Sequence, residues 1–313
     1  MISLSPPRGA PKPASRTLHP RLARLPALLW LVAFFLVPFL ITLKISLSEP
    51  ATAIPPYRPT FDWRSGVQGL PDFLGALGLS NYEMLAADPY YWNAALSSIS
   101  LAFGGTTLLV CLGIPLAHAL TRAPARWRSL LVALMIVPFW TSFLVRVYAW
   151  IAILKPEGLL NAGLIRLGLI GQPLEILNTP TAVLIGLVYA YLPFMVLPLY
   201  AVMSRLDPTL HEAAADLGAG PTRVFWTVSL PLSAPGLFAG ALLCFIPMMG
   251  EFVIPDLLGG SDTLMLGRAL WSEFFSNRDW PFASAVAVLL VLILVGPVVL
   301  LRQAESRREA VSP

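Results

Sequence analysis

Six stretches of this 313-residue chain are too long and too apolar for a soluble fold to bury: about 27–47, 93–120, 129–154, 180–203, 233–257 and 283–301. A helix needs roughly 20 predominantly apolar residues to cross the hydrocarbon of a bilayer. Within that hydrocarbon only helices and closed barrels satisfy their own backbone polar groups. Runs of this length read as helices, so the expected fold class is all-α integral membrane with six transmembrane helices. Composition agrees, since 57% of residues are hydrophobic and 12% charged, where a soluble domain carries about 25% charged residues. The first run follows Arg8, Lys12, Arg16, Arg21 and Arg24, which would suit the start of a cleavable signal. It is too long for one, however, and no small-x-small cleavage site precedes Glu49, so it reads as a retained span.

Orientation follows from Lys and Arg in the loops. With the amino terminus in the cytoplasm, that side holds those five residues and Arg122, Arg126, Arg128, Arg205, Arg223, Arg302, Arg307 and Arg308. The opposite side holds Arg58, Arg64, Lys155, Arg166, Arg268 and Arg278, a balance of thirteen against six. Both termini are therefore expected in the cytoplasm. The chain divides into a basic tail over 1–26, a six-span domain over 27–301 and a short cytoplasmic tail over 302–313. Tyr90, Tyr91 and Trp92 stand before span two, where an interfacial aromatic belt belongs. The formal charge of +4 does not indicate nucleic acid, because the basic residues form no stripe with interleaved aromatics. The expected surroundings are the lipid bilayer.

Outside the spans, the long loop 48–92 begins irregular and rich in Pro, Gly and aromatics. Ser80-Asn81-Tyr82-Glu83 has capping-box spacing, which predicts a short helix ending before Asp88-Pro89. Segment 156–178 suits a re-entrant or surface-lying helix. Pro38, Pro115, Pro138, Pro193, Pro198, Pro247 and Pro255 fall inside spans, where each removes a backbone hydrogen bond and bends its helix. Gly104-Gly105 predicts close helix contact, and Lys44 is expected to snorkel to the outer interface. Cys111 and Cys244 sit in apolar stretches and read as packing residues. His19, His118 and His211 show no ligand spacing, so neither a metal site nor catalytic residues are expected.

The cytoplasmic loop 204–232 carries the most specific pattern. The stretch Leu210-His211-Glu212-Ala213-Ala214-Ala215-Asp216-Leu217-Gly218-Ala219 predicts a short helix with a small-residue face and acids favoured by the dipole near its start. Gly218 suits a left-handed position at its end, and Gly220-Pro221 a turn into a second helix, with Pro231 where the chain re-enters the membrane. A helix with so little side-chain bulk can lie deep in a partner's groove.

The spacing Glu-Ala-Ala, three residues, Gly, nine residues, aliphatic, one residue, Leu-Pro resembles the signature of binding-protein-dependent import permeases. It matches at Glu212, Ala213, Ala214, Gly218, Val228, Leu230 and Pro231. That resemblance implies the type I permease fold of ABC importers, in a bacterial inner (plasma) membrane. It further implies a coupling helix over roughly 212–219, with Glu212, Ala213, Ala214, Asp216 and Gly218 engaging an ATPase subunit. The chain has no phosphate-binding loop of the form Gly-x-x-x-x-Gly-Lys-Ser/Thr. It is therefore not expected to be an enzyme or to hold a cofactor, ATP and Mg being bound by the partner subunit. Further implied partners are a second permease, in a heterodimer, and a periplasmic substrate-binding protein.

Three further runs narrow the resemblance to polyamine permeases: Phe139 to Trp150, Gly250 to Gly260, and Leu270 to Pro281. The last most resembles the larger permease of putrescine importers, close to its spermidine counterpart. The implied cargo is a polyamine, with putrescine favoured and spermidine an option. Glu251 and Asp256 lie near the outer end of span five, where an ionised group is costly and usually faces a cavity or partner. With Trp140, Tyr148, Trp150 and Tyr189 in other spans, they could pass an alkyl diamine along by charge and cation–π contacts. Alternatively, Glu251 pairs with Arg146 and ties spans three and five together. Another cationic or opine-like solute is a rival cargo. An ion-coupled secondary transporter is a rival class, although it would have no need of the 212–231 pattern.

Overall fold

The computed structural model describes residues 20–60, 69–261 and 263–311, with side chains over 25–60, 69–261 and 263–296. Arg8, Lys12, Arg16 and His19 of the basic tail, and Arg64 of the 48–92 loop, lie outside the described residues.

The first run forms α1 (Leu25–Ser46). Its helix is interrupted by a π-helical turn at Val32–Leu36, directly before Val37-Pro38. Pro38 has no N–H to give and its ring crowds the preceding turn, and a π turn relieves both. Past Ser46 the chain pairs β1 (Glu49–Pro50) antiparallel with β2 (Tyr57–Arg58), so the loop expected to be irregular carries a two-stranded ribbon. Lys44, near the end of α1, reaches into the loop that follows: its ammonium donates to the Pro59 carbonyl and sits 4.2 Å from the Tyr57 ring centre.

After α2 (Leu70–Gly75), α3 (Ser80–Ala87) forms where the capping box predicted a helix, but the box itself does not form. Leu79 takes the cap position, and the buried Asn81 amide donates to the Ser46 and Ser48 carbonyls at 2.9 and 2.7 Å. Asn81 thus fastens α3 to carbonyls at and just past the end of α1, which the helix itself leaves unpaired.

The membrane-facing body follows: α4 (Pro89–Arg122), α5 (Ala125–Trp140), α6 (Phe143–Leu154), α7 (Leu159–Arg166) and α8 (Pro180–Met203). Then come α9 (Pro208–Asp216), α10 (Pro221–Leu232), α11 (Ala234–Met249), α12 (Val253–Leu258), α13 (Leu266–Trp271) and α14 (Trp280–Val311). Among the described residues, α1, α4 and α8 are each long and apolar enough to cross a membrane. There are five such spans if each of two bent pairs counts as one, and α14 is apolar over the shorter stretch Trp280–Gly296.

The expected span 129–154 is not one helix. It turns by 92° between Ala125–Trp140 and Phe143–Arg166. Pro138 winds the end of α5 into a tight 3-10 turn, and Thr141 and Ser142 are extended, which breaks the ladder. The expected 233–257 is broken too. A 65° bend at Ser233 separates α10 from α11, and α11 stops at Met249, so Gly250 to Phe252 bridge to α12. A second π turn, Phe225–Ser229, again ends two residues before a proline, here in Leu230-Pro231.

α4, α8 and α11 pack on one another at the centre, and α14 packs on α1. The buried face of α4 runs Ala94, Ser98, Ala102, Gly105, Leu109, Gly113, Ala117, at helical spacing and mostly small. Lipid offers no hydrophobic drive between helices, so close backbone approach supplies the packing energy. A Cβ at Gly105 would lie 3.2 Å from Met248 Sδ, which bears out the close contact expected there, and one at Gly113 only 2.6 Å from Met195 Cγ. Gly113→Leu is therefore expected to part α4 from α8 and destabilise the chain by about 1–3 kcal/mol, the usual effect of overpacking. A thermal shift of the purified protein in detergent checks this, and an unchanged midpoint would contradict it. Both cysteines are free; Cys244 is buried, as expected of a packing residue, whereas Cys111 is exposed.

Candidate functional sites

Two places in this frame gather the residues singled out by sequence. The first is the loop between α8 and α11. Its helix, α9, begins at Pro208 rather than at 212, because Asp207 caps it: its carboxylate accepts the Thr209 N–H at 3.0 Å. That N–H holds the Asp207 carboxyl below the usual carboxylate value, and Pro208 at the first helical position needs no acceptor. The Asp-Pro pair was the sequence signal for this start. At the far end, Gly218 adopts φ +82, the left-handed conformation expected of it. The Gly218 N–H donates to Ala215 O at 2.8 Å and the Ala219 N–H to Ala214 O at 3.0 Å, the paired bonds of a Schellman turn.

The helix projects from the bundle. Glu212, Ala213, Asp216 and Gly218 are exposed and Ala214 is half-buried. His211 anchors its base, Nε2 lying 2.8 Å from Oγ of the buried Ser229 at the re-entry of the chain. Leu217, which the motif spacing does not single out, is 89% exposed at the tip. A large apolar side chain so presented, directly after the small and acidic run Glu212 to Asp216, has the form of a docking anchor.

The second place is the break after α11. Glu251 does not pair with Arg146. Its Oε1 accepts the N–H groups of Phe252 and Val253 at 3.2 and 3.1 Å, and its Oε2 accepts the Tyr191 hydroxyl at 2.9 Å. With those oxygens engaged, the carboxylate caps the start of α12 and ties it to α8. Gly267 holds this turn from the other side: a Cβ there would sit 2.4 Å from Gly250 O and 2.5 Å from Glu251 O, so only glycine fits. Tyr191 carries no sequence signal that separates it from its neighbour Tyr189. The latter packs edge-on against Trp150 at 5.4 Å.

Asp256 pairs with Arg268, Oδ1 to Nε at 3.2 Å, and that guanidinium also donates to Gly260 O. The two carboxylates therefore have separate structural partners. Arg146 stacks its guanidinium over Phe139 at 4.6 Å and near Phe143 at 5.5 Å, while its buried Nε finds no acceptor. Trp140 and Tyr148 are 83% and 57% exposed, so they face away from the chain's own core. No group of three or more His, Cys, Asp or Glu able to hold a metal ion exists among the described residues.

Residues 109–308 match the family described as "binding-protein-dependent transport system inner membrane component". The chain is 39% identical over 265 residues to the spermidine/putrescine transport system permease protein PotB of Haemophilus influenzae, covering 85% of this chain and 86% of that protein. PotB of Escherichia coli is 44% identical over 216 residues, 69% of this chain and 78% of that protein. Among solved structures, a chain of a bacterial alginate ABC transporter, in complex with an alginate-pentasaccharide-bound periplasmic protein, is similar with a TM-score of 0.66. It is 16% identical, with 92% of this chain and 93% of that one covered. A chain of the inward-facing methionine ABC transporter MetNI gives 0.52 at 19% identity, covering 72% of this chain and 100% of that one.

Proposed function

Because the chain belongs to the family of binding-protein-dependent inner membrane transport components, we infer that it is the membrane-spanning permease of a polyamine importer driven by a separate ATPase. The similarity to PotB over most of both chains supports putrescine or spermidine as cargo. The observation that carries the mechanism is α9, a small-residue helix held out from the bundle by a Schellman turn at one end and the His211–Ser229 bond at the other.

In this account α9 lies in a cleft of the ATPase, with Glu212, Ala213, Ala214, Asp216 and Gly218 in the contact. ATP and Mg are bound by that subunit and none by this chain. When two ATPase subunits close, α9 moves and its motion passes through Ser229 and the 65° bend at Ser233 into α11. The bundle then turns from facing the cytoplasm to facing the periplasm. A second, smaller permease completes the pathway, and a periplasmic binding protein delivers the cargo. Six spans with both termini cytoplasmic suit this arrangement: the two bent pairs and α14 complete the set begun by α1, α4 and α8. The six-span domain then covers 27–301, and 1–26 and 302–313 are cytoplasmic tails.

Glu251, near the outer end of α11, is the carboxylate best placed for an alkylammonium group. It is joined to Tyr191 on α8, so substrate would exchange a hydrogen bond from a neutral hydroxyl for one from a cation. Asp256, neutralised by Arg268, shapes the mouth. Trp140 and Tyr148 face the second permease across the path, and Arg146 borders it. The test is ATP hydrolysis by the reconstituted importer with its binding protein. Putrescine-loaded binding protein should stimulate the rate several-fold over empty protein, and stimulation by a non-polyamine ligand alone would overturn the cargo.

A further inference from the structure

Three cavities lie end to end between α5 and its neighbours. At the end of the bundle that carries α9, a cavity of about 300 Å³ is lined by His118, Arg122, Arg128, His211, Ser204 and Ser229, with no carboxylate among its lining residues. Arg128 also lines the next, of about 400 Å³, which follows the α5 stripe Ser129, Val132, Ala133 and Ile136 against Tyr200 of α8. Ile136 in turn lines the third, of about 310 Å³, closed by Phe139, Phe194, Leu197 and Leu243 and wholly apolar. α8 packs on α4 and α11, and α5 stands off it to leave this groove. From Arg128 to Phe139 the groove climbs about 16 Å at the rise of a helix, which accommodates most of an acyl chain. Its basic mouth is unfinished: Arg128 Nη2 donates to the Thr121 and Ala123 carbonyls at 2.9 and 3.2 Å, but its buried Nε has no acceptor.

We propose that this groove binds one anionic phospholipid, with the head phosphate held by Arg128 and Arg122 and an acyl chain laid between α5 and α8. A cationic cavity that opens onto an apolar groove about one leaflet deep matches the charge and shape of such a lipid at both ends. A zwitterionic lipid brings the same chain without the net charge that Arg122 and Arg128 face. Because the cavity also touches His211 and Ser229, the head group would brace the base of α9.

The test uses the full-length chain with its copurifying subunits in phosphatidylcholine vesicles. The vesicles are doped with phosphatidylglycerol or phosphatidylcholine carrying a photoactivatable group on the acyl chain. Labelling of the peptide spanning 129–139 should favour phosphatidylglycerol about 25-fold, two basic side chains acting on an anionic lipid at roughly fivefold each. It should fall about fivefold in Arg122→Gln, and also when Ala133→Trp fills the groove. Equal labelling by both lipids would mean an ordinary annular lipid and overturn the proposal. Absence of labelling by either would mean that the second permease covers the groove, with the same consequence. The wild-type comparison stands even where a variant fails to assemble.

Discussion

Leu217→Asp should cut ATP-driven uptake at least tenfold while leaving the chain inserted in the membrane. Leu217 is 89% exposed at the tip of α9 and has no intramolecular role in packing. If α9 seats in an ATPase cleft, Leu217 leaves water there, and burying a leucine side chain is worth about 1.5–3 kcal/mol. Replacing it by a carboxylate forfeits that gain and adds the cost of desolvating a charge, so tenfold is the low estimate. Leu217→Met preserves volume and apolarity and should retain most of the uptake. The readout that separates docking from folding is copurification: the ATPase should be lost from Leu217→Asp preparations and the second permease kept. Retention of the ATPase with normal uptake would show that the tip lies outside the contact.

Glu251→Gln should lower polyamine uptake about tenfold without disturbing assembly. The amide oxygen can still accept the Phe252 and Val253 N–H groups, so the cap on α12 survives, but the negative charge is gone. A hydrogen bond to a charged group contributes roughly 1.5–3 kcal/mol where a neutral one contributes about 1, and the difference is of the size expected for losing an ammonium contact. Tyr191→Phe probes the same pair from the other side. It removes the donor at 2.9 Å but keeps the carboxylate, so cargo should still pass, with an altered KM for uptake. Unchanged uptake in Glu251→Gln would make the residue a helix cap alone and remove it from the pathway.

What the sequence revealed and what it hid follow from how far apart the determining groups lie. The loop helix and its left-handed Gly218 were legible, because caps and turns are set within a few residues. Even there the helix start was misplaced by the motif, which begins at Glu212, whereas the cap is Asp207-Pro208. The packing of Gly105 on Met248 was legible as a small-residue signal, although the tighter contact is at Gly113.

Partners across the fold were not legible. Asn81 looks like part of a local capping box, yet its amide bonds to carbonyls 33 and 35 residues away. Glu251 had Arg146 as its obvious charged mate, and its backbone neighbours and a tyrosine 60 residues away took its oxygens instead. Apolar length alone also concealed the 92° turn after α5, since hydropathy does not register where Pro138 and the extended Thr141-Ser142 break the helix.

The central claim, that ATP hydrolysed by a partner drives this permease, is tested most directly by polyamine uptake into proteoliposomes holding the complete importer and its binding protein. Labelled putrescine should accumulate with ATP on the ATPase side and stay at background with a proton or sodium gradient alone. Accumulation on an ion gradient without ATP would contradict the account and identify a secondary transporter.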